Sequence, residues 1–190
     1  KERALSNICT SQALLANYST LYAMYMGPDE LQKTALEIRE ATNVIKDYVE
    51  SNINYTLVND AYHHDFFDTL TIRCDSKDIL LSVKNEAEKR NIFFRYNIPD
   101  LSFSISFDDT KSRSDSYHLI NGVLNPKRTN LVYFDEKCVK GEIHNPRRGE
   151  LLDFPIFNNF NSEHEITRYI TNIAKRDLSL THSMIPLGSC

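Results

Sequence analysis

Between Ser6 and Met26 apolar residues recur at roughly helical spacing. Ile8, Leu14, Leu15, Tyr18, Leu21, Tyr22, Met24 and Tyr25 cover much of the circumference of the predicted helix. A helix apolar on so many sides is expected to be packed on several sides. Gly27-Pro28-Asp29 ends it, because Gly suits a left-handed C-terminal cap and Pro cannot continue the hydrogen-bond ladder. A second helix is predicted from about Asp29 to Asn52. Leu31, Ala35, Ile38, Ala41, Val44, Ile45, Tyr48 and Val49 form its inward stripe, with Glu37, Arg39, Glu40, Lys46 and Asp47 turned mainly outward.

The period then shifts from helical to alternating. Asn54 to Val58 suits a short strand, and Phe66 to Cys74 alternates as a half-buried strand should. Ser76 is placed to cap a helix running to Arg90, with Ile79, Leu80, Val83 and Ala87 inward. Ile92 to Tyr96 and Leu101 to Phe107 make two more strands around a turn at Ile98-Pro99-Asp100. In the latter, Leu101, Phe103, Ile105 and Phe107 face one way and the serines the other. A helix over Ser114 to Leu124 closes a β-α-β-β-α unit. Further on, Ser162-Glu163-His164-Glu165 is a capping box that opens a helix to about Arg176.

The fold class is therefore α+β. Two amino-terminal helices pack on a small, three- to four-stranded, mostly antiparallel sheet with helices on one face, followed by a carboxy-terminal helix and an extended tail. The expected division is a small domain over 1–124, a charged linker with two Asn-Pro steps over 125–153, and a third region over 154–190. Because the chain starts within a helical pattern and stops on Gly188-Ser189-Cys190, it reads as an interior segment of a longer protein.

Composition narrows the function. A net charge of −4 supplies no cationic surface for a phosphate backbone, so nucleic acid is not an expected partner. The basic cluster Lys127, Arg128, Lys137, Lys140, Arg147 and Arg148 is diluted by Asp135, Glu136, Glu142 and Glu150 and reads as a solvated loop. No window approaches the ~18 consecutive apolar residues of a membrane span. Cys9, Cys74, Cys138 and Cys190 lie far apart, without the paired spacing of zinc or redox motifs, and suit a reducing compartment. His63 and His64, adjacent on an extended segment, point opposite ways and make a poor metal pair. Asp108 and Asp109, with Asp115 beyond, read as turn chemistry. Phe93, Phe94, Tyr96, Phe103 and Phe107 lack interleaved basic residues and read as core rather than as a base-stacking platform.

Several stretches carry a resemblance. Ser6-Asn7-Ile8-Cys9-Thr10-Ser11-Gln12-Ala13-Leu14-Leu15-Ala16-Asn17, then Phe66-Phe67-Asp68-Thr69-Leu70 and Asn91-Ile92-Phe93-Phe94-Arg95, resemble the amino-terminal half of the glycine-decarboxylating P proteins of the glycine cleavage system. The run from Asp177 through His182-Ser183-Met184-Ile185-Pro186-Leu187-Gly188-Ser189-Cys190 resembles the opening of the carboxy-terminal half and is the most specific. The resemblance covers roughly 3–52, 66–107 and 154–190 and fades over 110–153. Met26, Phe154 and Asn161 stand where the family usually has His, and Leu5 replaces a hydroxyl residue.

The resemblance implies a fold-type I enzyme that uses pyridoxal phosphate. It would decarboxylate glycine, pass the aminomethyl group to the lipoyl arm of the H protein, and work with a dimer partner. Bacterial cytosol or mitochondrial matrix is the implied compartment. The lysine that binds the cofactor would lie downstream of Cys190, so this chain is expected to hold no catalytic residue, no metal and no bound cofactor. His182, Ser189 and Cys190 are the implied cofactor-cleft residues, whereas chemistry alone favours an ordinary turn after Pro186. Asn7, Thr10 and Gln12 either cap the first helix or approach the interface between the halves. Cys9 reads as buried and apolar. The alternative is a non-enzymatic α+β module that binds a ligand or partner on its sheet, since sandwiches of this shape host many functions.

Overall fold

The computed structural model describes residues 11–58, 66–125, 132, 147–160, 162–176, 179 and 181–184, with side chains from 13 onward. The chain divides into two compact units, one of Lys1–Gln32 with Arg148–Cys190 and one of Lys33–Arg147.

The second unit holds the sheet. Helix α1 (Ser11–Glu50) delivers its carboxy-terminal part to this unit, and then come β1 (Tyr55–Leu57), β2 (Thr69–Cys74), α2 (Lys77–Glu88), β3 (Arg95–Asn97), β4 (Ser102–Ser106) and α3 (Arg113–Leu119). The strands form one antiparallel sheet in the order β1-β2-β4-β3. Leu70 pairs with Ile105 and Ile72 with Phe103, so the apolar side chains of both central strands share one face. Thr69, Thr71, Ser104 and Ser106 take the other, where hydroxyls pair across the strands at 2.8 Å (Thr69 with Ser106) and 3.0 Å (Thr71 with Ser104).

The inward face meets Ala41, Val44, Ile45 and Val49 of α1, Leu80, Val83 and Ala87 of α2, and Leu119 with the residues after it. The expected α+β sandwich with helices on one face is what forms. Phe103 sits at its centre, 1% exposed and stacked on Phe94 with ring centroids 5.5 Å apart. The side chain of Ser76 accepts the Ile79 amide and starts α2, as its sequence position suggested. Ser116, fully buried on α3, donates its hydroxyl to the Ala41 carbonyl (2.8 Å) and ties α3 to α1.

Three details depart from the sequence pattern. The helix expected over 114–124 stops at Leu119, and Ile120–Leu124 continues as a π-helical turn closed by the Asn125 amide on the Ile120 carbonyl at 2.7 Å. The wider turn leaves the Leu124 carbonyl to accept the hydroxyls of Tyr55 (2.9 Å) and Tyr48 (3.4 Å). Phe93, expected in the core, is 76% exposed, because strand β3 starts only at Arg95. Leu101 lies in the hairpin turn at φ 53° rather than in the strand, a backbone region that costs a non-glycine residue energy.

In the first unit α1 begins at Ser11, and Gly27 breaks it with φ 69° and ψ 172°. A Cβ there would need that left-handed region and would sit 3.4 Å from the Phe157 carbonyl oxygen. Pro28 then reopens the helix, so the predicted Gly-Pro boundary appears as a kink. The expectation that this first segment is packed on several sides is not met. Leu14, Leu15, Tyr18, Tyr22 and Tyr25 are all exposed. Helix α4 (Glu163–Ala174) starts at the predicted cap, where Ser162 accepts the Glu165 amide and bonds its carboxylate. Of the linker expected over 125–153, residues 125, 132 and 147–153 are described.

The enclosed position of Phe103 gives a direct check. Phe103→Ala should destabilise the chain by about 3–5 kcal/mol in urea unfolding. A loss below about 1 kcal/mol would mean that this face of β4 is not the buried one.

Candidate functional site

Of the residues that the sequence singles out, Asn7, Thr10, Ser189 and Cys190 lie outside the described residues, and Gln12 is described only as a backbone position in α1. The pair His63-His64 and the thiols of Cys9, Cys138 and Cys190 also fall outside. His182 is described. It occupies an exposed turn, where the Ser183 amide donates to the Ser179 carbonyl at 3.0 Å. Its Nδ1 lies 2.9 Å from the Ser179 hydroxyl and 3.4 Å from that of Thr181. This local cluster fixes the ring's orientation but encloses nothing.

A pyridoxal phosphate site needs donors for a phosphate and walls for a flat ring. The described residues do not fit that demand. His182 is the single candidate side chain among them, it is exposed, and neither large cavity of the second unit is lined by any candidate residue. No group of three or more potential metal ligands comes together among the described residues.

The described residues do assemble hollows that sequence reasoning missed. A cavity of about 460 Å³ opens between the ends of α2 and β4 and the α3–π junction, floored by Ile92, Phe94, Ile105, Phe107 and Leu119. Its rim carries Arg90, Lys111, Asp115, His118 and Asn121. Three of these polar groups have structural work. Arg90 pairs with Glu86 at 2.7 Å, and its side chain lies over Gly122, where a Cβ would come within 2.9 Å of its Nε. Asn121 clamps the backbone of Val132 from both sides, donating to its carbonyl at 2.8 Å and accepting its amide at 3.0 Å. Asp115 closes the capping box of α3, accepting the Ser112 amide and hydroxyl, both at 2.8 Å. A glycine inside the apolar run Leu119 to Leu124 was the available sequence signal for this crowded junction.

Electrostatics say the same. Hydrogen bonds from the backbone and side chain of Ser112 hold the Asp115 carboxyl below its ordinary range. Bonds from the Thr110 hydroxyl and amide do so for Asp108, the turn chemistry read from the sequence. Burial pushes the Cys74 thiol up to about 11, so this free, enclosed cysteine is a core residue and a poor nucleophile. Burial likewise raises the Tyr55 hydroxyl, which stays a neutral donor. The hydroxyl–imidazole pair of Ser179 and His182 lies in an exposed turn.

Comparison with known proteins decides what this scaffold is. The family model described as the glycine cleavage system P-protein matches residues 1–123. The chain belongs to that family. Relatives aligned over its whole length include a glycine dehydrogenase (decarboxylating) of Aliivibrio fischeri, 36% identical over 195 residues, and a mitochondrial one of Dictyostelium discoideum, 36% identical over 201 residues. Glycine dehydrogenase (decarboxylating) 1, mitochondrial, of Arabidopsis thaliana is 34% identical over 196 residues. The chain spans 18–19% of the length of these relatives. No described helix is long and apolar enough to cross a membrane.

The Ser112–Asp115 box predicts a pH signature. Asp115 titrates lower folded than unfolded, so its stabilisation is complete above the unfolded value of about 4 and is lost as pH falls through the depressed one. Ser112→Ala should cost about 0.5–2 kcal/mol at neutral pH and clearly less near pH 2. Urea curves showing the same loss at both pH values would remove this role from the box.

Proposed function

We propose that this chain is a scaffold segment of a pyridoxal phosphate-dependent glycine decarboxylase. The parent enzyme decarboxylates glycine and transfers the remaining aminomethyl group to the lipoyl group of the H protein. What carries this reading is the joint extent of the match: the family model over residues 1–123, and relatives aligned along the entire chain. Residues 1–124 would be the small domain of the amino-terminal half of a fold-type I enzyme, 125–153 the linker, and 154–190 the start of the carboxy-terminal half. The parent would work with a dimer partner, in bacterial cytosol or, in a eukaryote, in the mitochondrial matrix.

Pyridoxal phosphate, when bound to the parent, supplies the electron sink for loss of carbon dioxide. The lysine that anchors it and the bulk of its cradle lie outside this chain. Within the chain, His182, Ser189 and Cys190 are the residues proposed to border the cofactor cleft, and Asn7, Thr10 and Gln12 to approach the interface between the halves. The chain's own contribution is geometric: the buried sheet and the ties from α3 to α1 hold a rigid body on which such a cleft can be built.

Two measurements test this. The full-length gene product should release labelled carbon dioxide from carboxyl-labelled glycine in the presence of lipoylated H protein, and no release would overturn the assignment of activity. The 190-residue chain alone should show no absorbance shift on titration with pyridoxal phosphate. A saturable imine band, trapped by borohydride at one specific residue, would show that the chain carries a cofactor site of its own.

A further inference from the structure

The first unit displays apolar surface that it does not cover. Among its described residues the buried apolar side chains are Met24 and Ile166, whereas Leu14, Leu15, Tyr18, Tyr22 and Tyr25 are 44–70% exposed. At about 3.6 residues per turn these five fall within an arc of roughly 100°. That is the width of the stripe a helix normally turns toward a core. No charged residue occurs between Ser11 and Met26. Helix α4 repeats the pattern, with Ile166, Tyr169, Ile170 and Ile173 at i, i+3, i+4 and i+7; only Ile166 is buried, while Ile170 and Ile173 are 41% and 44% exposed.

We propose that these two stripes are one half of a core whose other half is polypeptide lying outside these 190 residues in the full-length protein. The inference rests on family membership and not on the proposed activity. Four observations select this occupant. The matched relatives continue for more than four-fifths of their length beyond the aligned segment, so covering polypeptide is tethered at high effective concentration. A second copy has no such tether and must also overcome the loss of translational freedom. An uncharged stripe offers nothing to a partner steered by charge. Three tyrosines beside two leucines are the composition of a buried protein contact, where large rings fill pockets and hydroxyls find partners.

Nitration of tyrosine by tetranitromethane, read by peptide mass spectrometry, tests the proposal. In the dilute 190-residue chain Tyr18, Tyr22 and Tyr25 should react readily, while Tyr55 is spared. In the full-length gene product all three should slow by on the order of tenfold or more, as expected for a covered patch. Equal reactivity in both proteins would overturn the proposal. So would protection in the short chain that grows with its concentration alongside a dimer in sedimentation, because the cover would then be a second copy. Tyr18→Glu should lower the melting temperature of the full-length protein but leave that of the short chain nearly unchanged. Should that variant fail to fold, the footprint of the unmodified proteins still decides.

Discussion

Everything in the second unit hangs on the pairing of β2 with β4. Leu70 against Ile105 and Ile72 against Phe103 put four large apolar side chains on one face, each no more than 2% exposed. A slip of one residue would exchange them for Thr69, Thr71, Ser104 and Ser106 and empty the core at a stroke. The helices answer to that face. α1 and α2 lie on it, and the Ser116 hydroxyl and Ala41 carbonyl lock α3 beside α1 without leaving a buried donor idle. The π turn follows as a consequence, for it lets one carbonyl, that of Leu124, meet two tyrosine hydroxyls at the edge of the same core.

The parts of this fold governed by short-range chemistry were legible in the sequence. Alternation set the central strands, Ser76 and Ser162 announced helix starts, and Gly27-Pro28 announced a break. What stayed hidden depends on contacts between distant residues. Nothing local separates an α-helical from a π-helical turn over Ile120–Leu124, whose last carbonyl meets Tyr48 and Tyr55, some seventy residues earlier in the chain. Phe93 looks like core because its neighbours are core, yet the strand begins two residues after it. The candidate site was legible only through the resemblance. Its residues are polar groups on small or flexible segments, and of these the structure describes the side chain of His182 alone, held by Ser179.

The two units therefore play unequal parts. One owns a closed core of sheet and three helices. The other owns two amphipathic helices with little of their own to bury.

Native-state hydrogen exchange on the dilute 190-residue chain tests most directly whether its stability resides in the sheet unit. The account predicts that amides of Leu70 to Cys74 and Phe103 to Ser106 exchange only through global unfolding. Those of α4 and of the α1 segment before Gly27 should exchange through local opening, at a much smaller free energy. Equal protection of all these segments, all responding alike to denaturant, would contradict the account and show that the first unit has a core of its own.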